Sequence, residues 1–194
     1  DAAGNLYFVS NRNYQTTLAT LYQCNFEAGV ATNVRLIEGI GKLQAGWVNF
    51  DVEVSADGQF LYFVDAQFDQ TGNPVTADLV IAQKNNTGFQ RLSNSDEILK
   101  NINTDDALEY AACISLDGLE LYFTRIKMPL SGVPSSEILV TTRKNTNEAF
   151  GNPSKIQSIT GFAEAPTIAR DQKTLYFHKK DGDTFALYKV KKKE

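Results

Sequence analysis

Six carboxylates are the side chains best placed to do chemistry in this 194-residue chain: Asp51, Glu53, Asp105, Asp106, Glu109 and Glu164. Each falls just before or at the start of a run with strand character, so their backbone settings repeat. Gathered around one opening, they could hold a hard cation such as Ca²⁺ through oxygen ligands, or draw in a basic peptide. Two of them roughly 5 to 9.5 Å apart over a sugar would make the acid and base of a glycosidase. The plainer role for the same residues is to cap turns and accept bonds from backbone amides.

Other chemistries are limited by count or spacing. The single histidine, His178, excludes a multi-histidine metal site, and any Ser-His-Asp triad would have to use it. It follows Leu-Tyr-Phe beside Lys179 and Lys180 and reads as a structural or surface residue. Gly39, Gly41 and Gly46 fit neither the Rossmann nor the P-loop spacing. Cys24 and Cys113 fall in different predicted strands without a CxxC partner, and read as buried small hydrophobes rather than a bridge. Ser55 and Ser115 each precede an aspartate by two residues, and the repetition argues for a turn role over a nucleophile. Net charge is −4, but from Lys179 onward six lysines face Asp181, Asp183 and Glu194, which leaves −7 on the first 178 residues. An acidic body argues against nucleic acid as a partner, and the lysine-rich end reads as a solvated segment that discourages edge pairing. Apolar runs of four or five residues are too short for a membrane-spanning helix.

The elements that must position these groups are set by one repeated heptapeptide. Asp57-Gly58-Gln59-Phe60-Leu61-Tyr62-Phe63 recurs as Asp117-Gly118-Leu119-Glu120-Leu121-Tyr122-Phe123 and as Asp171-Gln172-Lys173-Thr174-Leu175-Tyr176-Phe177, with a frayed copy at Asp1 to Phe8. Its leucines, at 6, 61, 121 and 175, step by 55, 60 and 54 residues, the period of a repeat protein. Asp-Gly between apolar runs predicts a hairpin, because glycine supplies the positive φ of a tight turn. Leu-Tyr-Phe does not alternate polar with apolar, which predicts a strand buried on both faces. Two further strands per period are expected, over 18–26, 77–83, 137–142 and 184–190, then 32–38, 89–93 and 155–159. Segments 67–76 and 128–136 are expected as long exposed hairpin loops, and 96–99 as a short helical turn.

Four antiparallel strands per period make the blade of a β-propeller. The pattern Ser-x-Asp-Gly-x-x-Leu-Tyr-Phe, preceded in one copy by Glu164-Ala165-Pro166, resembles the TolB-like, WD-repeat-like propeller repeat. Asn103-Thr104 and Phe150-Gly151-Asn152-Pro153 are similar to that family's linking segments. The departures are Ala169 for Ser and Gln172 for Gly in the last copy, and a one-residue slip in the first. The fold class expected is therefore an all-β propeller of four-stranded blades, with approximate blades 1–45, 46–107, 108–161 and 162–194 in a single domain. The first blade is expected to lack its innermost strand and the last its outermost. A start at Asp1 without methionine reads as a processed or trimmed N-terminus, and the ring as incomplete or as the C-terminal part of a larger propeller.

In such a ring the innermost strands line a channel, and the six carboxylates would crowd one mouth. The resemblance implies an extracytoplasmic protein, periplasmic or secreted, that binds extended peptide segments there. The reading favoured is a non-enzymatic scaffold for a protein, peptide or small ligand. Asp51, Glu109 and Glu164 would lie at the rim, with Trp47 and Tyr110 as apolar contacts; Trp47 could instead plug between blades. No cofactor is expected, with Ca²⁺ the metal such a ring would accept. The alternative is a carbohydrate-active hydrolase or lyase using the rim carboxylates. Open blade edges offer a route to oligomers.

Overall fold

The computed structural model describes residues 1–129 and 135–192. Most of the expected 128–136 loop, and Lys193 and Glu194, lie outside the described residues. The elements run β1 (Asn5–Val9), α1 (Tyr14–Thr17), β2 (Leu21–Glu27), β3 (Val30–Leu36), β4 (Trp47–Val54), β5 (Phe60–Phe68), β6 (Pro74–Asn85), β7 (Gly88–Arg91), α2 (Ser95–Leu99), β8 (Ala107–Ile114), β9 (Glu120–Lys127), β10 (Ser136–Thr142), β11 (Ser154–Lys155), β12 (Ala163–Ile168), β13 (Thr174–Asp181) and β14 (Thr184–Lys191). They form four antiparallel sheets whose strands neighbour one another in chain order: β1-β2-β3, β4-β5-β6-β7, β8-β9-β10-β11 and β12-β13-β14. The chain divides into two compact units, Asp1–Asp96 and Glu97–Glu194, each holding one three-stranded and one four-stranded sheet. No sheet combines strands from the two ends of the chain, so no ring closure is found among the described residues.

The heptapeptide folds as its chemistry requires. Gly58 at φ 70° and Gly118 at φ 72° take the left-handed position of their turns. Ser55 Oγ donates to Asp57 Oδ1 at 2.6 Å and accepts the Phe60 amide at 2.9 Å, while the Gln59 amide reaches the same aspartate oxygen at 3.0 Å. Ser115 and Asp117 repeat these bonds at 2.6, 2.9 and 3.0 Å. The serines are turn residues, with hydroxyls committed to backbone and aspartate. In the last sheet, where Ala169 replaces serine, Thr174 supplies the missing hydroxyl to Asp171 Oδ2 at 2.7 Å. Together with the Lys173 and Thr174 amides it lowers the Asp171 pKa to about 2. Gln172 takes the glycine position at φ 55°.

Leu61, Phe63, Leu121 and Phe123 are fully buried, and Tyr62 and Tyr122 nearly so, as expected for strands covered on both faces. Leu6 of the first copy is 42% exposed and opens one face of its sheet. Within the first unit Tyr7, Leu21, Ile37, Ile40, Leu61 and Phe63 share one core, extended by Val80 and Phe89. Within the second, Cys113, Tyr122, Ile138, Ile159, Leu175 and Phe177 share another. Burial of an aliphatic or aromatic side chain of this kind stabilises by about 1.5–3 kcal/mol. Both cysteines are buried and neither is in a disulfide. The expected loop over 67–76 is shorter than its composition suggests, since β5 runs to Phe68 and β6 starts at Pro74. Asp69 Oδ1 closes the turn by accepting the Thr71 and Asn73 amides at 2.8 and 2.9 Å.

Candidate functional site

Three strands that open a hairpin, β4, β8 and β12, carry the residues of interest and share one irregularity. Each breaks register at the same place: between Phe50 and Glu53, Tyr110 and Cys113, and Glu164 and Thr167. The residue in each break has a left-handed backbone without being glycine: Asp51 at φ 50°, Ala111 at 52° and Ala165 at 54°. Such bulges re-aim the side chains before and after them. Asn49, Glu109 and Ala163 are thus equivalent positions, as are Phe50, Tyr110 and Glu164.

At the first of these positions both units bury a charge. Glu109 is fully buried. Arg125, opposite it in register, donates Nε to Oε1 at 2.7 Å, and Thr104 donates its hydroxyl to Oε1 at 2.9 Å and its amide to Oε2 at 3.3 Å. The same arginine donates Nη2 to the Ile102 carbonyl at 2.6 Å. Desolvation pushes the Glu109 pKa above its ordinary value, with Arg125 and Thr104 opposing part of the rise. In the first unit the carboxylate sits on the neighbouring strand. Asp65 accepts both guanidinium nitrogens of Arg91 at 2.8 and 2.7 Å and the Asn49 amide at 2.6 Å, with Lys42 at 3.5 Å. Arg91 Nε then donates to the Ile40 carbonyl at 2.7 Å. In each unit an arginine ties a buried carboxylate to the carbonyl of a buried isoleucine in the segment leading to the bulged strand. Glu109 therefore holds its linker in place rather than facing solvent.

At the second position two of the expected site residues meet. Tyr110 from β8 donates its hydroxyl to Glu164 Oε2 of β12 at 2.9 Å, and both side chains are half-buried. The Ala165 amide, freed by the bulge, is taken by the Thr124 hydroxyl at 3.0 Å. Glu164 Oε1 accepts no bond from a described residue. The pair thus offers a carboxylate oxygen beside a phenol ring on a bulge-fixed backbone, a setting that suits a cationic donor group. In the first unit Trp47 and Asp51 lie half-buried on β4. The Trp47 ring is covered by Lys42 Nζ 3.4 Å from its centroid, and its carbonyl accepts the Tyr14 hydroxyl at 2.8 Å. Asp105 and Asp106 are exposed, Glu53 is half-buried and His178 is exposed on β13. Among the described residues no group of three or more His, Cys, Asp or Glu side chains gathers as a metal site.

No family model matches the chain, and no curated protein matches it. Solved structures do. A puromycin-hydrolyzing peptidase of Mycobacterium tuberculosis is 14% identical over 88% of this chain and 25% of its own, with a TM-score of 0.50. A protein described as TolB from Agrobacterium tumefaciens is 14% identical over 88% and 50%, with a TM-score of 0.46. A thermostable family-43 glycoside hydrolase is 12% identical over 97% and 65%, with a TM-score of 0.49. The chain spans less than two thirds of the length of each. The likeness to the peptidase, at 14% identity, is one of fold alone, and it agrees with an all-β chain of repeated antiparallel sheets.

Proposed function

We propose that the protein is a non-enzymatic binding scaffold of the TolB-like propeller type. Each sheet serves as a blade of one domain, and an extracytoplasmic peptide is held beside the bulges of β8 and β12. The observation that carries this reading is the Tyr110–Glu164 pair. It joins two half-buried side chains from equivalent positions of two strands, one oxygen being held by the phenol and the other left for a partner. A lysine or arginine side chain of an extended segment fits that oxygen, with the phenol ring as its apolar wall. A hydrolase would need a second accessible carboxylate beside Glu164, and the only carboxylate on β8, Glu109, is fully buried in its ion pair.

The test is an array of extended peptides about eight residues long, probed with the purified protein, followed by calorimetric titration of the best binder. Binders enriched in lysine or arginine are expected, and Glu164→Gln should weaken the best of them about tenfold, the cost of one charge-assisted hydrogen bond. Tyr110→Phe should weaken it less. Binders without basic residues, no binders at all, or an unchanged affinity in Glu164→Gln would sink the proposal.

A further inference from the structure

The first unit contains a cavity of about 560 Å³ that none of the expected site residues touches. Its walls come from β2, β3, the segment after β3 and the β6–β7 hairpin, through Gln23, Arg35, Ile37, Glu38, Gly88 and Phe89 among others. Beneath it lie the core side chains Ile37 and Phe89, 3% and 5% exposed, and the Tyr7 ring meets Phe89 edge-on at 6.0 Å between centroids. Arg35 stands in the cavity wall. It has no hydrogen bond or ion pair among the described residues, in contrast to Arg91, which is fully engaged with Asp65 and Ile40 in the same unit. Gln23 is its direct cross-strand partner, so guanidinium and amide project side by side from one face of the sheet. The Arg35 side chain is exposed at the cavity wall.

The geometry points to a binding site for a small organic carboxylate. The carboxylate would take the planar donor fork of Arg35 and the Gln23 amide, while the rest of the ligand would occupy the cavity beside them. A guanidinium matches a carboxylate with two parallel donors. A volume of this size lies within the range that encloses small organic ligands. Gly88 leaves the rim open, because a Cβ there would meet nothing within 4 Å. Glu38, also in the wall, selects against ligands carrying a second negative charge.

The site is tested with phenylacetate, and with phenylacetamide as its neutral isostere, followed by the backbone amide signals of the ¹⁵N-labelled protein. Phenylacetate is expected to shift Arg35, Gly39, Gly88 and Phe89 in a saturable manner, and phenylacetamide to bind about tenfold more weakly. Arg35→Gln, at an exposed position where the fold does not depend on the charge, should weaken phenylacetate to the level of the amide. Its unchanged spectrum elsewhere checks that it has folded. Equal binding of the two probes, equal binding by Arg35→Gln, shifts at other residues, or no saturable shift overturns the inference. Because the probe is anionic and the site lies apart from Glu164 in the chain, failure here leaves the peptide reading standing, and the reverse.

Discussion

At the scale of single residues, the buried pair of Glu109 and Arg125 makes the sharpest demand. Arg125→Met strands a carboxylate that is 0% exposed, and breaking a buried pair in this way costs about 3–5 kcal/mol. The Glu109→Gln, Arg125→Met double variant should recover most of that loss, as read from urea unfolding. The pH dependence has a definite sign. Glu109 has a raised pKa in the folded protein, so the folded state holds the proton more tightly than the unfolded chain. Its stabilising contribution is complete below the unfolded value near 4.5 and is lost as pH rises through the folded value. Removing Arg125 takes away the charge that opposes the rise, so the destabilisation by Arg125→Met should shrink between pH 8 and pH 4. A penalty independent of pH would mean that Glu109 is not the group left stranded. The sequence placed Glu109 at a rim because a carboxylate opening a strand looks the same whether it meets water or a partner. The missing signal was the hairpin register: counting outward from the Asp117-Gly118 turn and past the bulge sets Arg125 opposite Glu109.

At the scale of elements, the turns were legible and the bulges were not. Asp-Gly announces a positive φ, whereas Ala111 and Ala165 adopt one in the middle of a strand with no residue type to mark it. What fixes them is tertiary: the register break, and in the last sheet the Thr124 hydroxyl that takes the Ala165 amide. A left-handed backbone costs a non-glycine residue about 1–2 kcal/mol, and glycine returns about 0.5–1 kcal/mol of that as unfolded-state entropy. Ala165→Gly should therefore be neutral or stabilising by up to about 1 kcal/mol. Ala165→Val should destabilise by more than about 1 kcal/mol, because a β-branched side chain tolerates this region poorly. Thermal unfolding of the two variants checks the pair. If valine were accepted as readily as glycine, the bulge would not be holding the backbone that presents Glu164, and that residue's fixed geometry would have to come from its bond to Tyr110 alone.

At the scale of the whole molecule, periodicity gave the all-β class and the sheet-by-sheet order, because one heptapeptide writes the same hairpin each time. It was silent about the Arg35 cavity, which depends on strands brought together from positions 23 to 89 and carries no motif. Two sites of opposite sign result, a carboxylate at Glu164 and a guanidinium at Arg35, on a chain whose net charge is −4. Their response to salt separates charge recognition from simple burial. Screening shortens the reach of exposed charges from about 10 Å at 0.1 M to about 3 Å at 1 M. Raising sodium chloride over that range should weaken both the basic peptide and phenylacetate several-fold, and leave phenylacetamide unchanged or slightly tighter as apolar burial takes over. The two charged ligands should also divide by variant, the peptide responding to Glu164→Gln and phenylacetate to Arg35→Gln. A salt response shared by phenylacetamide would mean that the ions act on the fold rather than on the ligands. Unfolding curves at both salt concentrations decide that point, since a change in the fold would move the denaturation midpoint together with every affinity.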